Sequence, residues 1–194
     1  MARPREFDEN EVLQRAMMVF WEKGYESTSI FDLMEATGLT KSSIYKAFDS
    51  KEGLFWKANE IYKREHLGFI DEALTLSTPR EIAMAVLLGE ADMHTSPTHP
   101  PGCFETNGAL VCSEESVGVQ RALVESRFSI QRRLAKAFRK TAENGPMLPN
   151  ATPEEAASFV FTLIQGMAVQ SKAGLSREEL HKFVELAMLG WPKS

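Results

Sequence analysis

The sequence predicts an all-α fold of about nine helices, and three observations carry that prediction. Apolar residues recur at three- and four-residue spacing along most of the chain, the period of one helix face. Helix-start signatures, in which Ser, Thr or Asp precedes an acidic residue by three positions, occur repeatedly. Alternating apolar and polar runs, the mark of half-buried strands, are nearly absent.

The chain has 194 residues, 43% hydrophobic and 25% charged, which supplies a core without disulfides or a structural metal. No apolar run approaches the roughly 18 residues of a membrane-spanning helix. The first residues, Met1 to Asp8, lack the apolar stretch of a signal peptide, so the expected location is the cytoplasm. In that reducing compartment Cys103 and Cys112 are expected as free thiols.

The elements follow in order. Asp8-Glu9-Asn10-Glu11 reads as a capping box, with Phe7 and Val12 placed as a hydrophobic staple. Leu13, Ala16, Met17 and Phe20 form the apolar face of the first helix, and Gly24 is suited to end it. A second helix is expected from Ser29, with Ile30, Leu33, Met34 and Thr37 inward and Gly38 as its stop. Thr40 caps a short third helix, Lys41 to Phe48. Asp49-Ser50-Lys51-Glu52 is read as another capping box opening a long helix to about Leu76. Further boxes start at Thr78, Thr152 and Ser176, and Pro79 and Pro153 stand at the first helical position, where a missing N–H costs nothing. A Pro-rich loop, Thr95 to Gly102, precedes a short apolar stretch, Cys103 to Cys112. A long helix from about Ser116 to Glu143 completes the set.

Gly38-Leu39-Thr40 joins two short helices, the sequence form of a helix-turn-helix. At 100° per residue, Ile44, Ala47 and Phe48 share the inner face of the third helix. Ser42, Tyr45 and Lys46 take the outer face, with Ser43 at its edge, and Thr40 and Lys41 occupy the first turn. That surface carries hydroxyls and cations without a carboxylate, suited to phosphate oxygens and base edges. Overall charge argues the other way: the chain carries −5, and its first 50 residues hold six Lys and Arg against nine Asp and Glu. Salt screens beyond about 8 Å, so local placement decides. Arg3 and Arg5 offer an arm for an adjacent minor groove, or a plain basic tail.

The order Gly24-Tyr25, Thr28-Ser29-Ile30, Ala36 through Phe48 and Ser50-Lys51-Glu52-Gly53-Leu54 resembles the TetR family of bacterial transcription regulators, over about Phe7 to Phe55. The resemblance implies a helix-turn-helix DNA-binding domain, 1–49, and a helical effector-binding and dimerisation domain, 50–194. It implies phosphate contacts from Thr28, Tyr45 and Lys51, and a major-groove face made of Thr40, Lys41, Ser42 and Lys46, with Ser43 beside it. The implied partners are double-stranded operator DNA, a small-molecule effector and a second copy of the chain; no cofactor and no catalytic residue is implied.

Residues support the dimer separately. Thr152–Ala173 and Leu180–Trp191 carry apolar side chains on more than one face and so need burial on more than one side. Three readings of Cys103 stay open. It is a small buried hydrophobe, like Cys112; a thiol made reactive by a helix N-terminus; or a soft-metal ligand with His94 and His99. Phe104, Phe128, Phe138, Phe159, Phe161 and Met167 are candidates for a pocket lining or for ordinary core. The rival functions are an interaction module without operator binding, a metal-responsive regulator, and a Cys-His hydrolase, for which no catalytic signature is present.

Overall fold

A computed structural model of the chain describes residues 7–109 and 113–193. Arg3, Arg5 and Cys112 lie outside the described residues. Ten α-helices run in order: α1 Glu9–Ser27, α2 Ile30–Thr37, α3 Lys41–Phe48, α4 Lys51–His66, α5 Gly68–Ala73, α6 Pro79–His94, α7 Phe104–Ala109, α8 Val117–Thr141, α9 Pro153–Lys172 and α10 Arg177–Ala187. Short 3-10 turns at Glu114–Ser116 and Met188–Gly190 precede α8 and follow α10, and no strand occurs among the described residues.

The count exceeds nine because the helix expected to reach Leu76 breaks. Leu67 leaves helical geometry at φ −110° and ψ 5°, which separates α4 from α5. The caps largely follow the pattern of the sequence. Ser29, Thr78, Thr152 and Ser176 each accept the N–H three residues on, while the acid at that position takes the cap's own N–H. Two boxes differ. Asp8 accepts from the N–H groups of Asn10 and Glu11, but Glu11 turns to Arg15 instead of reaching back. Asp49 is the left-handed end of α3, at φ 63°, and Ser50 caps α4 by accepting from the Gly53 N–H at 2.9 Å. A side chain at 53 would place its Cβ 2.0 Å from the Phe48 carbonyl oxygen, so Gly53 is what lets α3 turn so closely onto α4.

Two cores form. The first joins Phe20 and Trp21 of α1, Leu33 of α2, Ile44 and Phe48 of α3, and Leu54, Phe55 and Tyr62 of α4 to Phe104 of α7 and Leu123 of α8. Phe55 meets Phe20 edge-on at 5.1 Å and stacks on Phe104 at 5.1 Å. Each such aromatic pair contributes roughly 0.5–1.5 kcal/mol beyond its buried area. This core crosses the boundary expected at residue 50, so the helix-turn-helix is packed directly onto the helical body. The second core gathers α6, α8, α9 and α10 around Val86, Phe138, Val160, Ile164, Val184 and Trp191.

Candidate nucleic-acid interface

The turn between α2 and α3 is built by two local devices. Gly38 takes the left-handed conformation at φ 72° and donates its N–H to the Met34 carbonyl. Thr40 then caps α3 by accepting from the Ser43 N–H at 3.2 Å. Ile44 is fully buried and Phe48 nearly so, which fixes α3 about its own axis. That orientation leaves Thr40, Lys41, Ser42, Tyr45 and Lys46 exposed and Ser43 half-buried. The Thr40 hydroxyl lies 3.0 Å from that of Ser42 and 2.9 Å from that of Ser43. Lys41 Nζ lies 5.7 Å from the centre of the Tyr45 ring. Among the described residues neither Lys41 nor Lys46 pairs with a carboxylate, so both ammonium groups are available to an anion. Phe31, 74% exposed, shares a shallow groove with Gly38, Leu39 and Thr40. The sequence reading missed it; its signal was an aromatic residue off the buried stripe of α2.

Thr28 and Lys51 both have partners within the fold. Thr28 is 1% exposed and its hydroxyl donates to the Gly24 carbonyl at 2.6 Å, back onto α1. Lys51 Nζ donates to the carbonyls of Tyr25 and Thr28, both at 3.0 Å, and lies 4.3 Å from the Tyr25 ring centre. It closes the carbonyl end of α1 from the first position of α4, leaving one N–H for other work. Burial pushes its pKa down.

On the helical body the segment His94 to Phe104 forms a contact between parts. The His99 ring stacks on Trp21 at 4.0 Å, and Trp21 Nε1 donates to the Gly102 carbonyl at 2.9 Å. His94 is fully buried, its Nε2 3.3 Å from the Glu90 carboxylate. Cys103 Sγ lies 3.4 Å from the Tyr62 hydroxyl. His94, His99 and Cys103 therefore do not converge, and among the described residues no group of three or more His, Cys, Asp or Glu is placed to hold a metal ion. Burial pushes the Cys103 thiol up, with the charges of Glu105 and Glu90 adding to the shift. That direction is opposite to the one expected of a thiol at a helix N-terminus; α7 has only six residues.

The other pocket candidates also part company. Phe104, Phe138 and Met167 are buried, in two different cores, whereas Phe128 and Phe159 are exposed. Buried titratable groups supply a different polar cluster. Burial, then the charge of Glu105, pushes Glu90 up to about 8, and burial lowers His94 to about 4. Phe159 and Val169 of α9, Phe183 and Leu186 of α10 and Leu189 of the following 3-10 turn are 37–78% exposed, while the opposite faces of α9 and α10 fill the second core.

Residues 12–57 match the family described as bacterial regulatory proteins, tetR family. The HTH-type transcriptional repressor ComR of Escherichia coli (strain K12) is 32% identical over 198 residues, covering 98% of this chain and 92% of ComR. The HTH-type transcriptional repressor BdcR of the same strain is 24% identical over 184 residues, covering 92% of this chain and 86% of BdcR. Among solved structures, a cysteine mutant of the TetR family transcriptional regulator CifR, in complex with 26-bp double-strand operator DNA, is 36% identical. It superposes with a TM-score of 0.92, covering 98% of this chain and 100% of that one. With an all-helical body behind a capped helix-turn-helix, and these relatives along nearly its whole length, the chain belongs to the TetR family of DNA-binding bacterial transcription regulators.

Proposed function

We propose that the chain is a repressor that binds a pseudo-palindromic operator as a homodimer and releases it when a small-molecule effector binds the helical body. The carboxylate-free face of α3, with Thr40, Lys41, Ser42, Tyr45 and Lys46 exposed and Ile44 and Phe48 holding its orientation, carries this reading. Residues 1–49 carry operator binding, and residues 50–194 carry effector response and dimerisation.

In this account Tyr45 holds a phosphate, and Thr40, Lys41, Ser42 and Lys46 meet the major groove with Ser43 beside them. Lys51 contributes by holding the end of α1, with its third N–H free for a phosphate. The solved CifR complex with operator DNA and the naming of ComR and BdcR as repressors support the reading. The apolar residues exposed on α9 and α10 support a twofold four-helix interface, since a patch of that kind rarely faces water in a soluble monomer. Such a dimer presents two α3 helices about one DNA turn apart, or somewhat more. The raised thiol pKa favours reversible ligand binding over attack by Cys103 on an electrophile.

A titration of labelled upstream DNA tests it: Tyr45→Ala is expected to weaken operator binding at least tenfold with the melting temperature unchanged. Unaltered affinity would overturn the docking of α3.

A further inference from the structure

A cleft of about 160 Å³ opens between α4, α5 and α8. Leu67, Ile70 and Ile130 form its apolar side and Glu105, on α7, is one of its walls. Glu105 is 2% exposed. Its Oε1 accepts from Asn59 Nδ2 at 3.1 Å and from the Ser126 hydroxyl at 2.8 Å, and pairs with Lys63 Nζ at 3.1 Å. Lys63 Nζ also donates to the Ser126 hydroxyl, and its side chain is 44% exposed. The cation serving this buried charge thus reaches in from solvent on a flexible stem.

Two further buried polar side chains neighbour Glu105. Glu90, a second carboxyl group, is 2% exposed and close enough for the Glu105 charge to raise its pKa. Asn59 is 3% exposed, and its Oδ1 has no hydrogen-bond partner among the described residues. A buried acceptor left unpaired is costly and calls for a group that fills it. Among the described residues no cluster suited to a metal ion is present. At the rim Arg133 pairs with Asp71, so the arginine there is already neutralised.

We propose that this cleft is the effector site, and that its ligand is a small protonated amine whose ammonium replaces Lys63 on Glu105. Its N–H groups serve the Glu105 carboxylate, and its aliphatic part lies against Leu67, Ile70 and Ile130. An anion would meet the Glu105 charge, and a neutral molecule would leave that charge to Lys63. The volume is below the roughly 300 Å³ at which pockets for drug-sized ligands begin, so the amine is compact. Binding acts on α7, which carries Glu105 and also touches α1. The proposal rests on reading the chain as ligand-responsive.

Calorimetric titration of full-length protein without DNA, using linear primary amines from propylamine to hexylamine, tests the site. The matching alkanols and alkanoates serve as controls. Saturable binding of at least one amine and of none of the controls is expected. Glu105→Gln should abolish it. Lys63→Met, at a side chain already half in water, should tighten it roughly tenfold, the weight of one charge-assisted hydrogen bond. Equal binding of amines and alkanols, or unchanged or weaker amine binding by Lys63→Met, would overturn the site whether or not Glu105→Gln folds. A parallel operator-release assay separates the two claims. Release by other compounds with no amine bound would overturn the amine site and leave ligand response standing. Amine binding without release would overturn the regulatory role of the cleft.

Discussion

Asn107 of α7 donates its side-chain amide to the backbone carbonyl of Trp21 at 3.0 Å, which places α7 against the end of the first helix of the DNA-binding unit. At the same contact Gly24 has φ +78°, and a Cβ there would come 2.9 Å from the Asn107 carbonyl oxygen. Lys172 of α9 reaches the same region, donating to the Glu22 carbonyl at 2.6 Å. Movement of α7 therefore bears on the helix that supports α2 and α3.

Gly24→Ala is expected to destabilise the fold by about 1–3 kcal/mol, because it combines a left-handed backbone with a close approach to another helix. Urea denaturation monitored by helical circular dichroism measures this. Loss of stability near zero would mean that the contact between α1 and α7 gives way freely.

Lys51→Ala and Tyr45→Ala should differ in kind. Lys51 ties two carbonyls and the Tyr25 ring to α4, so its removal lowers both melting temperature and operator affinity. Tyr45, exposed on α3, is expected to change affinity alone. Paired melting and DNA-titration curves distinguish them; identical behaviour would contradict the placement of one of the two. Lys51→Ala should also reduce the slope of log affinity against log salt by about one.

Much of this was legible in the sequence for a local reason. Ser29, Thr78, Thr152 and Ser176 announce helices through partners three residues away, and Ile44 and Phe48 fix the inner face of α3 by spacing alone. What escaped depends on contacts across the fold. Asp49 and Ser50 are both good caps, and the close approach of Gly53 to Phe48 decides between them. Thr28 looks available until its hydroxyl turns back to Gly24. Cys103 leaves several readings open in the sequence, and its burial and the charges of Glu105 and Glu90, which raise its pKa, come from packing across the fold. Leu67 ends α4 in a stretch whose apolar spacing continues unbroken.

Stability should depend on pH through the buried pair Glu90 and His94. Glu90 is raised to about 8, so the native state holds a proton that the unfolded chain has lost, and stability falls as pH rises from about 4.5 to 8. His94 is lowered to about 4, so the unfolded chain holds the extra proton, and stability rises from about pH 4 to 6.5. The two oppose each other below pH 6.5, and between pH 6.5 and 8 the Glu90 effect stands alone. Its slope there is at most about 1.4 kcal/mol per pH unit. Denaturation curves across this range should flatten in Glu90→Gln relative to the unsubstituted protein; an equal slope in both would assign the dependence elsewhere.

Leu186→Glu, on the exposed face of α10, should yield a monomer by analytical ultracentrifugation with helical content retained. A dimer that survives this change, together with Phe183→Glu, would remove α10 from the interface. The monomer should also lose most operator affinity, because each α3 face offers few phosphate contacts.

The central claim is that two copies of one small cationic face, Thr40 to Lys46, grip a twofold site. Hydroxyl-radical footprinting on the DNA upstream of the protein's own and neighbouring genes, at about 150 mM salt, tests it most directly. The account predicts two protected half-sites about one turn apart or somewhat more, both lost together in Leu186→Glu and in Tyr45→Ala. Weak protection spread evenly along the DNA, unaffected by either change, would contradict it.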